Sequence, residues 1–284
     1  MGNEHSVFQL YPFSDSIFGC LSPVDLYHLQ LTCFRLNAII INFNSRAYHL
    51  EDVLSPFFEK DEYTDFREMQ KSTNAFISGS TALQFFSREV FEGCDLDLYV
   101  EKGQETALVD WLQSIHYKLV QLIGLTEEEM EQVEEPPSLF YSPYVIQFLK
   151  LIRGEKRIEV MVIDRSPLFA IFHFALTCVH NFITYEGAMS LYPYSTFHDR
   201  QALFLPHVLG ERDGVFCQKY ERRGWEICDA PGMVHHMSSS VDRQVGDSYC
   251  WYQPISSKSD TLQKLSWRVN WSGLGVASIK ISKM

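Results

Sequence analysis

Apolar and polar positions follow a regular pattern between residues 74 and 100, NAFISGSTALQFFSREVFEGCDLDLYV. Residues 75–77 form an apolar run with the length of a buried strand, and Gly79-Ser80 interrupts it before Thr81–Ser87 takes up helical character. From Leu96 to Val100, a leucine or valine occupies every second position, as in a strand with one buried face. The pattern predicts a strand, a turn, a helix and a second strand, in that order.

The polar positions of this segment carry candidate chemistry. Because side chains alternate across a strand, we expect Asp95 and Asp97 on one face, opposite the buried leucines. Two carboxylates placed in this way suit a hard cation with oxygen ligands, such as Mg2+. Gly79 allows the backbone to approach a phosphate. Ser80 is expected to cap the helix, whose first N–H groups favour an anion.

The string ISGSTALQFF followed by CDLDLYV resembles the nucleotidyltransferase fold of the DNA polymerase β superfamily, and it is similar to the antitoxin-type nucleotidyltransferases. The resemblance implies that Asp95 and Asp97 bind two Mg2+ or Mn2+ ions, and that a third carboxylate from a later strand completes the metal and catalytic site. It also implies that Gly79, Ser80 and Thr81 hold the phosphates of a nucleoside triphosphate (NTP).

A predicted hairpin further along the chain supplies this third carboxylate. Residues 146–152 and 157–163 have the pattern of two strands around the turn Gly154-Glu155-Lys156. Glu159 lies in the second strand, within Ile-Glu-Val, and we assign it as the third metal ligand and catalytic carboxylate. Asp164, at the end of the same strand, is the alternative.

Short helices are predicted for residues 1–50. Ser22 is expected to be an N-cap with Pro23 in the first turn of the helix. The run IFGCLSPVDLYHLQLTCFRLNAII resembles the F-box, and the positions that fit are Ile17, Phe18, Leu21, Ser22, Pro23, Asp25, Leu26, Leu29, Thr32, Cys33 and Leu36. This resemblance implies that residues 12–40 bind a ubiquitin-ligase adaptor. The alternative is a helical hairpin that only packs on the next domain.

Three regions are predicted along the chain. Residues 1–50 form the F-box-like helical segment, residues 51–205 the nucleotidyltransferase-like domain, and residues 206–284 a small C-terminal β-rich extension. The expected fold class is α/β (α+β), with a central mixed sheet flanked by helices. The strings LTCVHNFIT, YPYSTF, KYERRGW and RQVGDSYCW are similar to a group of uncharacterised fungal proteins that join an F-box-like start to a nucleotidyltransferase-like core.

Two longer helices are expected inside the central domain, at Thr106–Ile123 and at Pro167–Thr184. Polar side chains recur at helical spacing in the second one, at His173, Thr177, His180, Asn181 and Thr184. This polar stripe either lines a nucleotide cleft or consists of buried groups that are hydrogen-bonded to the sheet or to loop backbone.

Composition narrows the range of partners. The chain has 24 basic and 36 acidic residues and a formal net charge of −12. This balance argues against a broad nucleic-acid-binding surface, but it is compatible with an NTP carried with its metal. The seven cysteines are scattered singly, which favours reduced thiols in an intracellular protein of the cytoplasm or nucleus. No stretch reaches the roughly 20 apolar residues of a membrane span.

The sequence therefore predicts a metal-dependent enzyme that transfers a nucleoside monophosphate from an NTP to a hydroxyl acceptor. Two alternatives belong to other classes of protein. One is an F-box-like adaptor in which the nucleotidyltransferase-like core recognises a partner without catalysis. The other is a metal-free pseudoenzyme that binds a nucleotide as a structural ligand.

Overall fold

The computed structural model describes residues 11–124, 144–205, 214–229, 243–255, 265–271 and 277–283. Its α-helices are α1 Tyr11–Gly19, α2 Pro23–Gln30, α3 Phe34–Ala47, α4 Leu50–Leu54, α5 Lys60–Thr73, α6 Gly79–Ser87, α7 Glu105–Ser114, α8 Leu168–Ile171 and α9 Val215–Arg222. Its strands are β1 Phe76–Ser78, β2 Leu96–Glu101, β3 Lys118–Gly124, β4 Val145–Arg153, β5 Lys156–Ile163, β6 Asn181–Ile183, β7 Gly187–Ser190, β8 Gln201–Leu203, β9 Glu226–Cys228, β10 Arg243–Gln244, β11 Trp251–Pro254, β12 Leu265–Trp271 and β13 Ala277–Lys283. A 3-10 turn at Thr177–Val179 and a π-helical turn at Tyr194–His198 complete the described elements.

One large mixed sheet organises the molecule, with its strands in the order β11-β7-β6-β1-β2-β5-β4-β3. β2 and β5 run parallel, and the other neighbours in this sheet are antiparallel. Helices flank the sheet, so the predicted α/β (α+β) class is confirmed. β11 lies within residues 206–284 and forms an edge of this sheet, hydrogen-bonded to β7. The three domain boundaries stay a prediction.

The predicted strand-turn-helix-strand segment and the predicted hairpin are both present. β1, α6 and β2 follow one another as expected, and β4 pairs with β5 around the turn at Gly154, whose φ is +61°. Leu96, Leu98 and Val100 are fully buried, as their alternation predicts. Burial of this kind contributes about 25 cal/mol per Å2 of apolar surface, which fixes the face that each strand turns inward.

The N-terminal helices have a small core of their own. Phe18, Leu26, Ile40 and Phe43 are buried against one another. Ser22 is the N-cap of α2, as predicted, because its hydroxyl accepts the N–H of Asp25 at 3.1 Å while the Asp25 carboxylate accepts the N–H of Ser22. The predicted short helices between residues 11 and 50 are therefore confirmed.

Both of the longer predicted helices are wrong in their extent. The one predicted for Thr106–Ile123 ends at Ser114, and residues 118–124 pair with β4 as β3. His116 takes a left-handed conformation with φ +71°, which ends the helix and turns the chain into the strand. The region predicted as Pro167–Thr184 contains only the short α8, the 3-10 turn and β6. Tertiary pairing has overridden the helical spacing there.

Of the five side chains in the polar stripe predicted within that region, four are buried and His173 is partly buried, and each makes a hydrogen bond. The Thr177 hydroxyl accepts the N–H of Leu203 at 2.9 Å, and the Asn181 amide donates to the carbonyl of Cys178 at 2.7 Å. The Thr184 hydroxyl donates to the carbonyl of Gly187 at 3.1 Å. These groups hold loop backbone in place, which confirms the structural interpretation of the stripe. A search of the described residues finds no helix with both the length and the apolar character that crossing a membrane requires.

Candidate functional site

The register of the central strands brings the predicted carboxylates to one face. β2 lies between β1 and β5, and Asp97 is directly opposite both Ser78 of β1 and Glu159 of β5. Asp95 precedes β2 by one residue, so the alternation of side chains places it on the same face as Asp97. Asp164 follows the end of β5 and is exposed, away from this row. We call the surface formed by Asp95, Asp97 and Glu159 the carboxylate face.

The glycine turn contacts this face directly. Gly79 begins α6 with φ +63°, a conformation that favours glycine. A β-carbon at this position would collide with the Oδ2 atom of Asp97 and would lie 3.1 Å from its carboxyl carbon. Only a residue without a side chain therefore fits between the start of α6 and Asp97. The sequence predicts that Gly79 lets the backbone approach a phosphate, and the structure adds its close approach to Asp97.

Ser80 does not cap α6, contrary to the prediction. β1 ends at Ser78, so the helix starts two residues earlier than expected, with Ser78 as its N-cap residue and Ser80 already inside the first turn. The Ser80 side chain lies 3.2 Å from the hydroxyl of Tyr220 and accepts a hydrogen bond from Arg223 at 2.9 Å. The Thr81 hydroxyl donates to the carbonyl of Asp95 at 3.2 Å. Both hydroxyls thus fix the turn relative to its surroundings.

Two of the three predicted carboxylates have basic partners on neighbouring strand positions. The guanidinium of Arg157 donates to Asp95 at 2.5 Å and to the carbonyl of Gly93 at 2.9 Å. The Lys150 ammonium donates to Glu159 at 2.9 Å. The strand register explains both pairs, because Arg157 is two residues before Glu159 on β5 and Lys150 is opposite Glu159 on β4.

Asp97 lies in an electrostatic environment that favours its neutral form. Its pKa is raised well above the ordinary value, first by burial and then by the negative charge of Glu159, with a smaller contribution from Asp95. The charges of Lys219 and Lys150 act in the opposite direction. A buried carboxyl beside a second carboxylate forms a place where an added cation is stabilising.

Helix α9 supplies residues that the sequence did not assign to this site. Tyr220, which is buried, and Arg223 contact Ser80 at the turn, and the charge of Lys219 reaches Asp97. A signal was present in KYERRGW, because Lys219 and Arg223 are four residues apart and therefore share a helix face in a strongly acidic chain. Nothing local to that string indicates that the face meets a turn more than 130 residues earlier, at Ser80.

The chemistry of the acids fits a divalent cation, although their arrangement is incomplete. Carboxylate oxygens are the ligands that Mg2+ and Mn2+ prefer, and Asp97 and Glu159 are neighbours across β2 and β5. Within the described parts of the chain, no group of three or more histidine, cysteine, aspartate or glutamate side chains is placed to hold a metal ion. Asp95, the remaining acid of the carboxylate face, forms an ion pair with Arg157.

A separate cavity of about 630 Å3 lies away from the carboxylate face. Its walls come from α2 and α3, from the π-helical turn and from the segment that leads into β11, and they include Tyr27, Tyr192, Tyr194, Tyr249 and Trp251. The size suits a small molecule. Two charged groups in its wall, Arg243 and Asp247, form an ion pair at 2.6 Å. The carboxylate face and this cavity are therefore at different places.

No protein-family model matches the chain, and no curated protein matches it significantly. Among solved structures, the chain is similar to a CCA-adding enzyme in complex with ATP, with 11% sequence identity and a TM-score of 0.43. The match covers 63% of this chain and 42% of that chain, so this chain spans less than half the length of that enzyme.

Proposed function

We propose that the chain has a nucleotidyltransferase-like core that binds an NTP with a divalent cation at the carboxylate face. It transfers the nucleoside monophosphate to a hydroxyl acceptor and releases pyrophosphate. The observation that supports this function best is the contact of the Gly79 turn with Asp97, next to Glu159. The Gly79 turn, which suits phosphates, is therefore in direct contact with one of two neighbouring carboxylates that suit a cation.

Each residue has a role in this proposal. Asp97 and Glu159 would hold the cation, and Asp95 would join them once Arg157 is displaced. Glu159 accepts the proton of the acceptor hydroxyl. The backbone of Gly79, Ser80 and Thr81 faces the phosphates. When bound, Mg2+ or Mn2+ would neutralise charge on the phosphates and favour deprotonation of the hydroxyl.

The ion pair that engages Asp95 is weak enough for a cation to displace. The side chains of Arg157 and Asp95 are 43% and 28% exposed. Ion pairs exposed to this degree contribute about 0–1 kcal/mol because solvent screens them. Release of Arg157 therefore costs little compared with the binding of a divalent ion to carboxylates.

The test compares wild type with Asp97→Asn, using Asp164→Asn as the matched control because Asp164 is an exposed carboxylate at the end of β5. Selective binding of an NTP with Mn2+ to the folded state should raise the melting temperature of the wild type and of Asp164→Asn, but not of Asp97→Asn. Transfer is followed with each of four α-labelled NTPs onto RNA, protein and small acceptors. Equal stabilisation of all three proteins would refute the proposed site.

A second candidate function is a nucleotidyltransferase-like module without catalysis, joined to an adaptor-binding segment. Two observations favour it. The basic partners of Asp95 and Glu159 occupy carboxylates that catalysis needs. The N-terminal helices also carry exposed apolar side chains, namely Ile17, Tyr27, Leu31, Phe34 and Ile41. Exposed apolar patches of this kind are typical of interaction sites.

The adaptor-binding test uses Phe34 because this side chain is 96% exposed. Phe34→Asp should remove a co-purifying ubiquitin-ligase adaptor without lowering the melting temperature, since the new charge stays in water. Leu26 is unsuitable because it is 1% exposed and belongs to the core of the N-terminal helices. Val90→Asp, at a side chain that is 87% exposed elsewhere, is the control. Adaptor binding that survives in Phe34→Asp, or an adaptor that never co-purifies, argues for a purely structural hairpin.

A further inference from the structure

Near the carboxylate face, the basic side chains of Arg223 and Lys219 have partners of a different kind from those of Arg157 and Lys150. Arg157 and Lys150 each form an ion pair with a carboxylate. Arg223 donates instead to two uncharged groups, the hydroxyl of Ser80 at 2.9 Å and the thiol of Cys94 at 3.1 Å. Among the described residues, no carboxylate lies within 4.0 Å of Arg223 or of Lys219, the basic residue one helical turn before it.

The surroundings of Arg223 hold its guanidinium in place without neutralising it. The group stacks on the ring of Phe91, with 4.3 Å to the ring centroid, and lies 5.4 Å from the centroid of Tyr220. The side chain is half-buried, and a thiol is a weak hydrogen-bond acceptor. A partly desolvated cation with neutral partners gains more from an anionic ligand than a cation that is already paired.

Lys219 brings a second positive charge to the same place. It is exposed on α9, so its ammonium group is open to a ligand from solvent. Its ammonium group lies 5.7 Å from the ring centroid of Tyr220, whose hydroxyl is 3.2 Å from the hydroxyl of Ser80. Lys219 and Arg223 thus both lie near the ring of Tyr220, at 5.7 and 5.4 Å from its centroid, and this ring contacts Ser80 in the first turn of α6.

We propose that Lys219 and Arg223 form a clamp for the polyphosphate of the bound nucleotide, together with the hydroxyl of Ser80. This inference rests on the proposed function, since it places the phosphate chain between α9 and the Gly79 turn. It assigns binding residues from a part of the chain beyond residue 205. It also gives a chain with a net charge of −12 two positive charges at the place where a polyanion would bind.

The experiment measures binding of inorganic tripolyphosphate by calorimetry in the presence of EDTA, so that no divalent cation contributes. Lys219→Gln and Arg223→Gln each remove one charge and keep a polar side chain. Each should weaken binding about tenfold or more, as expected for the loss of a charge-assisted hydrogen bond. Arg222→Gln is the matched control, because Arg222 is an exposed neighbour with the same charge, and it should stay within about twofold of wild type.

The outcomes separate a binding role from a structural one. The melting temperature without ligand shows whether Arg223→Gln loosens the packing of α9. If it does, the result for Lys219→Gln decides the question, because Lys219 is exposed and its replacement does not disturb the packing. The clamp is refuted if wild type does not bind tripolyphosphate, or if Lys219→Gln binds as well as Arg222→Gln.

The clamp and the proposed function can fail separately. In one outcome, Lys219→Gln loses tripolyphosphate binding, and Mn2+ with NTP stabilises Asp97→Asn as much as wild type. This outcome supports the clamp and refutes the metal-dependent function. In the opposite outcome, Lys219→Gln binds tripolyphosphate fully, and the melting temperature of Asp97→Asn does not respond to Mn2+ and NTP. This outcome refutes the clamp and supports the metal-dependent function.

Discussion

The two faces of the β4–β5 hairpin carry the same kind of ion pair in different surroundings. On one face, Arg153 donates to both oxygens of Glu62 on α5, at 2.6 and 2.8 Å, and the two side chains are 19% and 16% exposed. On the other face, Arg157 pairs with Asp95, and these side chains are 43% and 28% exposed. The comparison separates an ion pair that holds the fold together from one that a ligand can replace.

Additional contacts make the Arg153 pair part of the framework. Its guanidinium also donates to the carbonyls of Ile115 and Phe57, both at 2.8 Å, and lies 4.6 Å from the ring centroid of Tyr117. The hydrogen bond from Arg153 is the largest contribution that lowers the pKa of Glu62 below its ordinary value. One side chain thus joins α5, the end of α7 and the loop before α5 to the hairpin.

The largest expected effect follows from removal of the Arg153 side chain. Arg153→Met keeps much of the apolar stem but leaves Glu62 and two carbonyls without their donor. We expect a loss of about 3 kcal/mol in the free energy of unfolding at neutral pH, measured by urea denaturation.

The pH dependence of that difference provides a check. Because the folded state lowers the pKa of Glu62, its stabilisation is present above the ordinary value of 4.5 and is lost as the pH falls through the lower folded value. The difference between wild type and Arg153→Met should therefore shrink in acid. A difference below about 1 kcal/mol at neutral pH would show that Arg153 has no special structural role.

Local patterns were enough to predict much of the carboxylate face. The alternation in β2, the Gly-Ser break and the hairpin around Gly154 depend on neighbouring residues, so the sequence predicts Asp95 and Asp97 on one face and Glu159 within a strand. Only the resemblance to the nucleotidyltransferase fold implied that this later strand contributes to the same site, and in the structure it pairs with β2. The choice of Glu159 over Asp164 also agrees with the strand register, because Glu159 is the one opposite Asp97. Its catalytic role stays a prediction.

The partners of these carboxylates could not be predicted in the same way. Arg157 meets Asp95 only because β2 and β5 are parallel neighbours, a pairing between segments about 60 residues apart. Arg223 meets Ser80 through the packing of α9, which no local pattern encodes. The helix predicted for Pro167–Thr184 is wrong for a related reason, since Thr177 bonds to the distant backbone of Leu203 and residues 181–183 pair as β6 with other strands.

The smallest expected effect is on the opposite face of the hairpin, and it tests whether Arg157 is replaceable. Arg157→Met should change the free energy of unfolding by less than about 1 kcal/mol, because a half-exposed ion pair contributes little. The same change frees Asp95 to act beside Asp97, so the affinity for Mn2+, measured by calorimetry without nucleotide, should rise several-fold. Asp95→Asn in the Arg157→Met background should reverse this gain.

If Arg157→Met instead destabilises the fold as much as Arg153→Met, the two faces do not differ. If Mn2+ binds no more tightly than to wild type, Asp95 does not belong to the cation site, and Asp97 with Glu159 would hold the ion alone.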